Sequence, residues 1–326
     1  MKLCFRFLLV AFALTMLVAP ANAQWERVFE QKTRKDLNAI YFVDREIGWV
    51  AGDTGLLFST GSGGDSWAEL KSGVNLSLSD IFFRDRSEGW MVAQGGRLLY
   101  SEDAGMSWKE IYRLQPSRSA PRGKSEAPEL YSVTFVNKKK GWIVGTEGRI
   151  LVSEDGGKNW VGQESGTREE IVHVKFINDK RGWAVGGSGT ILFTNDAGRT
   201  WEKQKSGTTS HLYHVEVRGK DDAWVVGDDG VILRTSNGGV SWERYPPLVK
   251  QTLLNIAFAD DKLGWIVGWN GTILRTGDGG NRWIAQESGT KSNLYGLAVR
   301  RDGFINKKTQ AWVVGGDGII LRYRDQ

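Results

Sequence analysis

The chain has 326 residues and a formal net charge of +5, from 43 Lys and Arg against 38 Asp and Glu. So small an excess at this length gives no argument for a polyanion such as nucleic acid, and none is expected as the partner. The single cysteine, Cys4, excludes a disulfide framework, and its place near the start removes thiolate chemistry and cysteine-ligated metal from everything after it.

Taken in chain order, Lys2 and Arg6 make a basic start, Phe7 to Val18 an apolar run, and Ala21-Asn22-Ala23 a small-x-small cleavage site. This is the layout of a secretory signal peptide, and the apolar run is too short for a stable membrane span. We expect residues 1–23 to be cleaved. Residues 24–326 should then be one exported, soluble domain in the periplasm, the thylakoid lumen or outside the cell. Cys4 precedes the apolar run, which is the wrong place for a lipoprotein anchor.

Tryptophan then recurs at a fixed period. Trp49, Trp90, Trp142, Trp183, Trp224, Trp265 and Trp312 sit in the frame Gly/Ala-Trp-x-Val, and the main step between them is 41 residues. In the first six copies a second tryptophan follows 18 residues later, at Trp67, Trp108, Trp160, Trp201, Trp242 and Trp283. A period of that size signals a stacked repeat architecture.

One unit shows its content. Ile171 to Ile177 is rich in β-branched residues and reads as a strand, followed by the polar turn Asn178 to Arg181. Gly182 to Gly186 is a second strand, and Gly187-Ser188 reads as a two-residue turn before Gly189. Thr190 to Thr194 is a third strand, the polar loop to Trp201 follows, and Trp201 to Lys205 is a fourth. Four short antiparallel strands in about 40 residues make one propeller blade. The first strand recurs at 37–43, 78–84, 130–136, 171–177, 212–218, 253–259 and 294–300. The expected fold is therefore all-β, a seven-bladed propeller of four-stranded antiparallel blades.

The seventh unit stops after Leu321-Arg322-Tyr323, without a second tryptophan or a fourth strand. Trp25-Glu-Arg-Val matches Trp201-Glu-Lys-Gln and Trp242-Glu-Arg-Tyr, so the N-terminal strand should complete the last blade and close the ring. Two steps are long. One carries an insertion around Gln115 to Lys124, the other an extension near Arg300 to Lys308.

The loop before each second tryptophan, the tryptophan loop below, reads Ser/Thr-x-Asp-x-Gly-x-x-Trp. Asp103, Asp155, Asp196 and Asp278 hold the acidic position, and Ser62 and Asn237 replace it. Asp, Asn and Ser can all accept backbone N–H bonds inside a turn, so the interchange marks a structural role. The pattern resembles the Asp-box of sialidases and other secreted propellers. The Phe-Arg-Ile-Pro string of sialidases is absent, and no nucleophile motif or phosphate-cradling loop has the right flanks. We expect no enzyme, no cofactor and no metal. His173 and His214 share one first-strand position in neighbouring blades, where the other blades have Ala39, Asp80, Ser132, Asn255 and Gly296. This ring should line the central channel; its imidazoles could hold a metal with Asp80, or simply be channel polar groups.

The loops joining first to second strands share a face with the tryptophan loops and carry more basic than acidic residues. The third strand adds to this face: one position reads Phe58, Tyr100, Val152, Phe193, then Arg234, Arg275 and Arg322. With Arg218, Arg300 and Arg301 these are the candidate partner-binding residues, since arginine suits carboxylates. The alternative is that each packs between blades and pairs locally. Trp269, in a hairpin turn on the opposite face, is either a partner anchor or folded onto a loop.

Residues 141–160, Gly-Trp-Ile-Val-Gly-Thr-Glu-Gly-Arg-Ile-Leu-Val-Ser-Glu-Asp-Gly-Gly-Lys-Asn-Trp, and their counterparts 182–201 resemble the photosystem II stability/assembly factor family. The resemblance covers the whole chain after the leader. It implies a non-enzymatic seven-bladed propeller that binds a precursor reaction-centre subunit, with an arginine patch implicated and Arg234, Arg275 and Arg322 as its carry-over. The expected partner is a protein client, on a monomeric scaffold that does not span the membrane. The second reading is a secreted glycan-binding or glycoside-hydrolase-like propeller.

Overall fold

The computed structural model describes residues 25–30, 34–115, 128–302 and 308–324. The segment expected to be a signal peptide, most of the insertion and the tip of the blade 7 extension lie outside them. Seven four-stranded antiparallel sheets form the ring. Blades 1 to 6 span 37–71, 78–113, 130–163, 171–204, 212–244 and 253–286; blade 7 is 294–324 plus Trp25–Glu30. Among the described residues helix occurs only as short 3-10 turns, and no helix is long and apolar enough to cross a membrane.

The second strands read Gly-Trp-x-Val-Gly or close variants because both of their faces are covered by neighbouring blades. All five residues of Gly182–Gly186 are buried, as in the matching strands of blades 1, 2, 3 and 6. The seven framed tryptophans are among the largest fully buried side chains, and each packs on an aromatic or aliphatic layer between blades. Trp49 stacks on Phe83 of the next blade at 3.4 Å between ring centroids, and Trp142 stacks on Phe176 at 3.5 Å. Continuous burial of this kind replaces the in-out alternation of a half-exposed sheet.

The hairpin between second and third strands is a turn with two left-handed residues, which suits the right-handed strand twist. Its central pair is Ser188-Gly189, with φ of 53° and 67°, and not Gly187-Ser188. The same pair recurs as Thr54-Gly55, Glu147-Gly148, Asp229-Gly230, Asn270-Gly271 and Asp317-Gly318. Glycine tolerates this region without strain, so it fixes the second place. Trp269 therefore precedes its turn; it is half exposed, and its backbone N–H donates to the Thr252 carbonyl at 2.9 Å.

Ring closure follows the expected route. Trp25–Glu30 pairs antiparallel with Ile319–Arg324, with Trp25 opposite Tyr323. Trp25 also takes over the hydrogen bond of a second tryptophan. Trp201 and Trp242 donate from Nε1 to Gln163 and Gln204 on the outer strand of the preceding blade, and Trp25 donates to Gln286 of blade 6 at 3.1 Å. The blade 5 outer strand is only Glu243–Arg244, because Pro246 and Pro247 have no N–H to continue the ladder.

The third-strand register needs one correction. Arg234, Arg275 and Arg322 pair with Trp224, Trp265 and Trp312, and Trp49 pairs with Ser59. The blade 1 counterpart is thus Ser59, and Phe58 points to the other face, into the layer around Trp312. A one-residue slip always exchanges the two faces of a strand.

Candidate functional site

The tryptophan loops fold back onto the first-to-second strand loops of their own blades. The backbone N–H groups of Gly63, Ala104, Gly156, Ala197, Gly238 and Gly279 donate to carbonyls of Glu46, Ser87, Lys139, Lys180, Asp221 and Lys262. The two loop sets therefore share one face. The loop acids are consumed inside the turns. Asp103, Asp155, Asp196 and Asp278 accept the N–H four residues on at 2.9, 3.0, 2.9 and 2.9 Å. Ser62 and Asn237 make the same bond at 3.0 Å each, which explains the interchange. Hydrogen bonds from the Asn159 backbone and side-chain amides hold Asp155 down at about 2.

On that face the structure divides the six candidate arginines into two groups. Four gather about blade 6. Arg218 of blade 5 donates to Asp261 Oδ1 at 2.7 Å and lies over Trp224 and Phe258. Arg301 of blade 7 pairs with the adjacent Asp260. Arg234 donates to Asn281 at 2.6 Å and to Asp222 at 3.3 Å, with its guanidinium 4.9 Å above Trp224. Arg275 belongs to blade 6 itself. The remaining two reach across the junction of blades 7 and 1. Arg300 donates to the Asp44 carbonyl at 2.9 Å and covers Trp312, and Arg322 pairs with Asp65.

Sequence reading missed Arg84, which does for blades 2 and 3 what Arg300 does for blades 7 and 1. It lies over Trp90 and donates to the Lys138 carbonyl at 2.7 Å. Its signal was available: Arg84, Arg218 and Arg300 occupy one position, at the end of the first strand. Each such contact is part arene packing and part charge-assisted bond, so these arginines are clamps between blades as well as a basic surface. Exposed ion pairs of this type contribute at most about 1 kcal/mol each.

The same face opens into a cavity of about 480 Å³ between blades 1 and 7. Tyr41, Asp44, Arg45, Arg300 and Arg301 line it, and Lys175 enters from blade 4, so the space belongs to the central channel. Lys175 is paired with Glu216 at 3.3 Å.

Deeper in the ring, His173 and His214 stack with centroids 3.7 Å apart and planes at 25°. Stacked imidazoles present parallel lone pairs, which do not converge on one ion, and His173 Nδ1 already accepts the Val215 N–H at 3.4 Å. Among the described residues no three His, Asp or Glu side chains are grouped to hold a metal. Asp80 accepts the N–H groups of Ile81 and Val133 at 2.9 and 3.0 Å, and burial pushes it up to about 6. Burial, then the charge of Lys175, lowers His173 to about 3, and burial lowers His214 well below its usual value.

These shifts set a pH dependence. Below about 6.5 the unfolded chain protonates both imidazoles while the folded ring holds them neutral, so stability falls as pH drops toward 3. The slope is at most about 1.4 kcal/mol per pH unit for each histidine. Asp80 works the other way: between about 4 and 6 its proton is held only in the folded state, so its contribution to stability rises as pH drops. Two groups outweigh one. Urea midpoints should be lower at pH 5 than at pH 7, and His173→Gln should shrink the difference; equal midpoints would contradict the buried neutral pair.

Comparison with known proteins matches the family described as photosynthesis system II assembly factor YCF48 over residues 17–119, 163–236 and 238–326. A solved structure titled "YCF48 bound to D1 peptide" is 23% identical with a TM-score of 0.72, covering 93% of this chain and 97% of that one. YCF48 from Cyanidioschyzon merolae is 22% identical with a TM-score of 0.71, covering 92% and 98%. The WD40 propeller domain of Doa1 aligns with a TM-score of 0.68 at 11% identity, over 93% and 97%, which is likeness of fold alone. No curated protein matches the chain. The family match spans most of the sequence, and the chain belongs to the photosystem II assembly factor YCF48 family.

Proposed function

We propose that this chain is an exported, non-enzymatic scaffold that holds a client of the D1 type on the basic face around blades 5 to 7. The observation that carries the reading is the convergence of Arg218, Arg234, Arg275 and Arg301 about blade 6, in a chain of the YCF48 family. A relative in that family has been solved with a D1 peptide bound. Guanidinium groups held by arene contacts lose little freedom on meeting a carboxylate, which favours capture of an acidic or chain-terminal peptide segment.

The glycan reading has no support in the loop acids. A glycosidase acid must be held protonated near neutral pH, whereas the tryptophan-loop Asp-box acids are shifted down. Asp80, shifted up, is enclosed and bonded to backbone N–H groups.

The test is an anisotropy titration of labelled peptides tiling D1 with the chain from residue 24 onward. A triple variant, Arg234→Gln, Arg275→Gln and Arg301→Gln, should keep the fold by circular dichroism and weaken capture at least about tenfold, the effect of losing about 1.4 kcal/mol. Unchanged capture by the folded variant would overturn the assignment of this face.

A further inference from the structure

The face opposite the arginines is closed the same way in every blade. The first residue of each hairpin between second and third strands donates its backbone N–H to the carbonyl of the residue just before the first strand. Asp53 donates to Asp36, Gln94 to Ser77, and so round the ring to Gly316 and Asn293. With the residue at each turn tip, this sets three positions per blade about the second mouth of the channel. Eight residues of this rim are Asp or Glu, and none is Lys or Arg.

Its carboxylates differ from those of the arginine face. There Asp44, Asp65, Asp260 and Asp261 are each paired with an arginine. On the rim the donors are neutral: Asp36 accepts from the Tyr295 hydroxyl at 2.9 Å, Asp53 from Ser77 at 2.6 Å, Glu129 from the Gly95 N–H at 2.9 Å and Asp228 from Thr252 at 2.8 Å. Among the described residues only Glu147 and Glu170 are beside a cationic partner, Arg149 at 3.8 Å and, when protonated, His211 at 3.6 Å. The lysines of this side, Lys35, Lys250 and Lys291, stand one or two residues upstream in the connections, and Lys35 is bonded to the Thr54 hydroxyl at 2.8 Å. A carboxylate held by neutral donors keeps its charge, so the rim projects a negative field.

Blade 6 sets an apolar residue into this ring. Trp269 takes the place held by Asp53 and Asp228, and it is 46% exposed. No hairpin needs an indole there, since Gly187 and Gly316 make the same backbone bond without a side chain. Thr252 accepts the Trp269 N–H at its carbonyl and holds Asp228 with its hydroxyl, so indole and carboxylate flank one residue. Leu248, 56% exposed, precedes Thr252 in the same connection, after the exposed Pro246 and Pro247.

We propose that this rim is a second docking surface, which takes an arginine- or lysine-bearing segment of a partner protein with Trp269 as its platform. Charge complementarity selects the occupant. A guanidinium stacks on an exposed indole while its N–H groups reach a neighbouring carboxylate. An anionic membrane surface is repelled by the same ring. The surface stands independently of the D1 reading. With a client on the arginine face as well, the chain holds two proteins at once, one on each side of the disc.

The probe is a capped Gly-Arg-Gly-Arg-Gly-Arg-Gly peptide, titrated at low ionic strength into the ¹⁵N-labelled chain from residue 24 onward. The same peptide with Gln for Arg is the neutral control. The Trp269 indole N–H signal is assigned by its loss in Trp269→Phe. It should shift saturably with the probe and not with the control, and salt should weaken the binding. Read through neighbouring backbone amides, Trp269→Ala should weaken binding about threefold. Asp229→Asn combined with Asp317→Asn should weaken it about fivefold. That pair keeps the fold, because blade 6 already carries Asn270 at the same left-handed turn position.

No saturable shift into the millimolar range overturns the surface, and so does equal binding by wild type and both variants. Pelleting of the chain with phosphatidylcholine–phosphatidylglycerol vesicles that Trp269→Ala abolishes also overturns it, because lipid is then the occupant. The triple variant of the arginine face should bind the probe as wild type does, and loss of probe binding there would place the peptide on the wrong face. Probe binding without any D1 capture leaves this surface and removes only the client reading. D1 capture without probe binding does the reverse.

Discussion

Trp25→Ala should lower the folding free energy by roughly 3–5 kcal/mol, the range for deleting a buried tryptophan side chain. Trp25 is 4% exposed although it is the first residue of the propeller. Its indole meets Trp265 edge-on at 6.2 Å between centroids and Tyr323 at 5.5 Å. It also donates to Gln286, so the substitution removes the one indole that joins blade 6 to blade 7 through this position. The loss extends beyond the cavity, because a weakened first strand frays from Ile319–Arg324 and leaves an open sheet edge. Urea denaturation read by tryptophan fluorescence checks the number, and added aggregation near the midpoint is expected. A change below about 1 kcal/mol would mean that the N-terminal strand does not close the ring.

Gly280→Ala should cost roughly 2–4 kcal/mol, from a left-handed backbone and an overpacked contact together. Gly280 has φ of +85°, and an added Cβ would lie 2.5 Å from Trp224 Nε1. Neither can give: Trp224 is fully buried, and the loop is pinned where the Thr276 hydroxyl accepts the Gly280 N–H at 2.9 Å. Gly277→Ala is the control. Nothing lies within 4 Å of its Cβ position, and its change should stay within about 0.5 kcal/mol. Melting of both variants by differential scanning calorimetry separates the loop's packing role from a general intolerance of substitution.

The architecture was legible because its signals are steric and periodic. A tryptophan fully buried between two blades recurs at the blade period, and Trp25 betrays the closing strand by repeating the outer-strand pattern. Interchange of Asp, Asn and Ser in the tryptophan loops identified their acids as turn acceptors, and the six loop bonds agree. Register was less legible. Phe58 and Ser59 are neighbours of similar context, and only the cross-strand partner of Trp49 decides which one matches the arginines. The arginines themselves were found by position, but their partners lie in other blades. Nothing local in the sequence says that Arg218 and Arg301 meet adjacent acids, Asp261 and Asp260, from opposite sides. Nor does it say that Arg275 faces the one blade without a tryptophan loop, which follows only once both chain ends are placed in blade 7.

The central claim is that the basic face over blades 5 to 7 captures a D1-type segment. Titration of the peptides tiling D1 tests it most directly. At least one peptide should bind the folded chain saturably, more weakly as salt is raised from low ionic strength, and more weakly still to the arginine triple variant. No binding by any peptide, or binding indifferent to both salt and the three arginines, would contradict it.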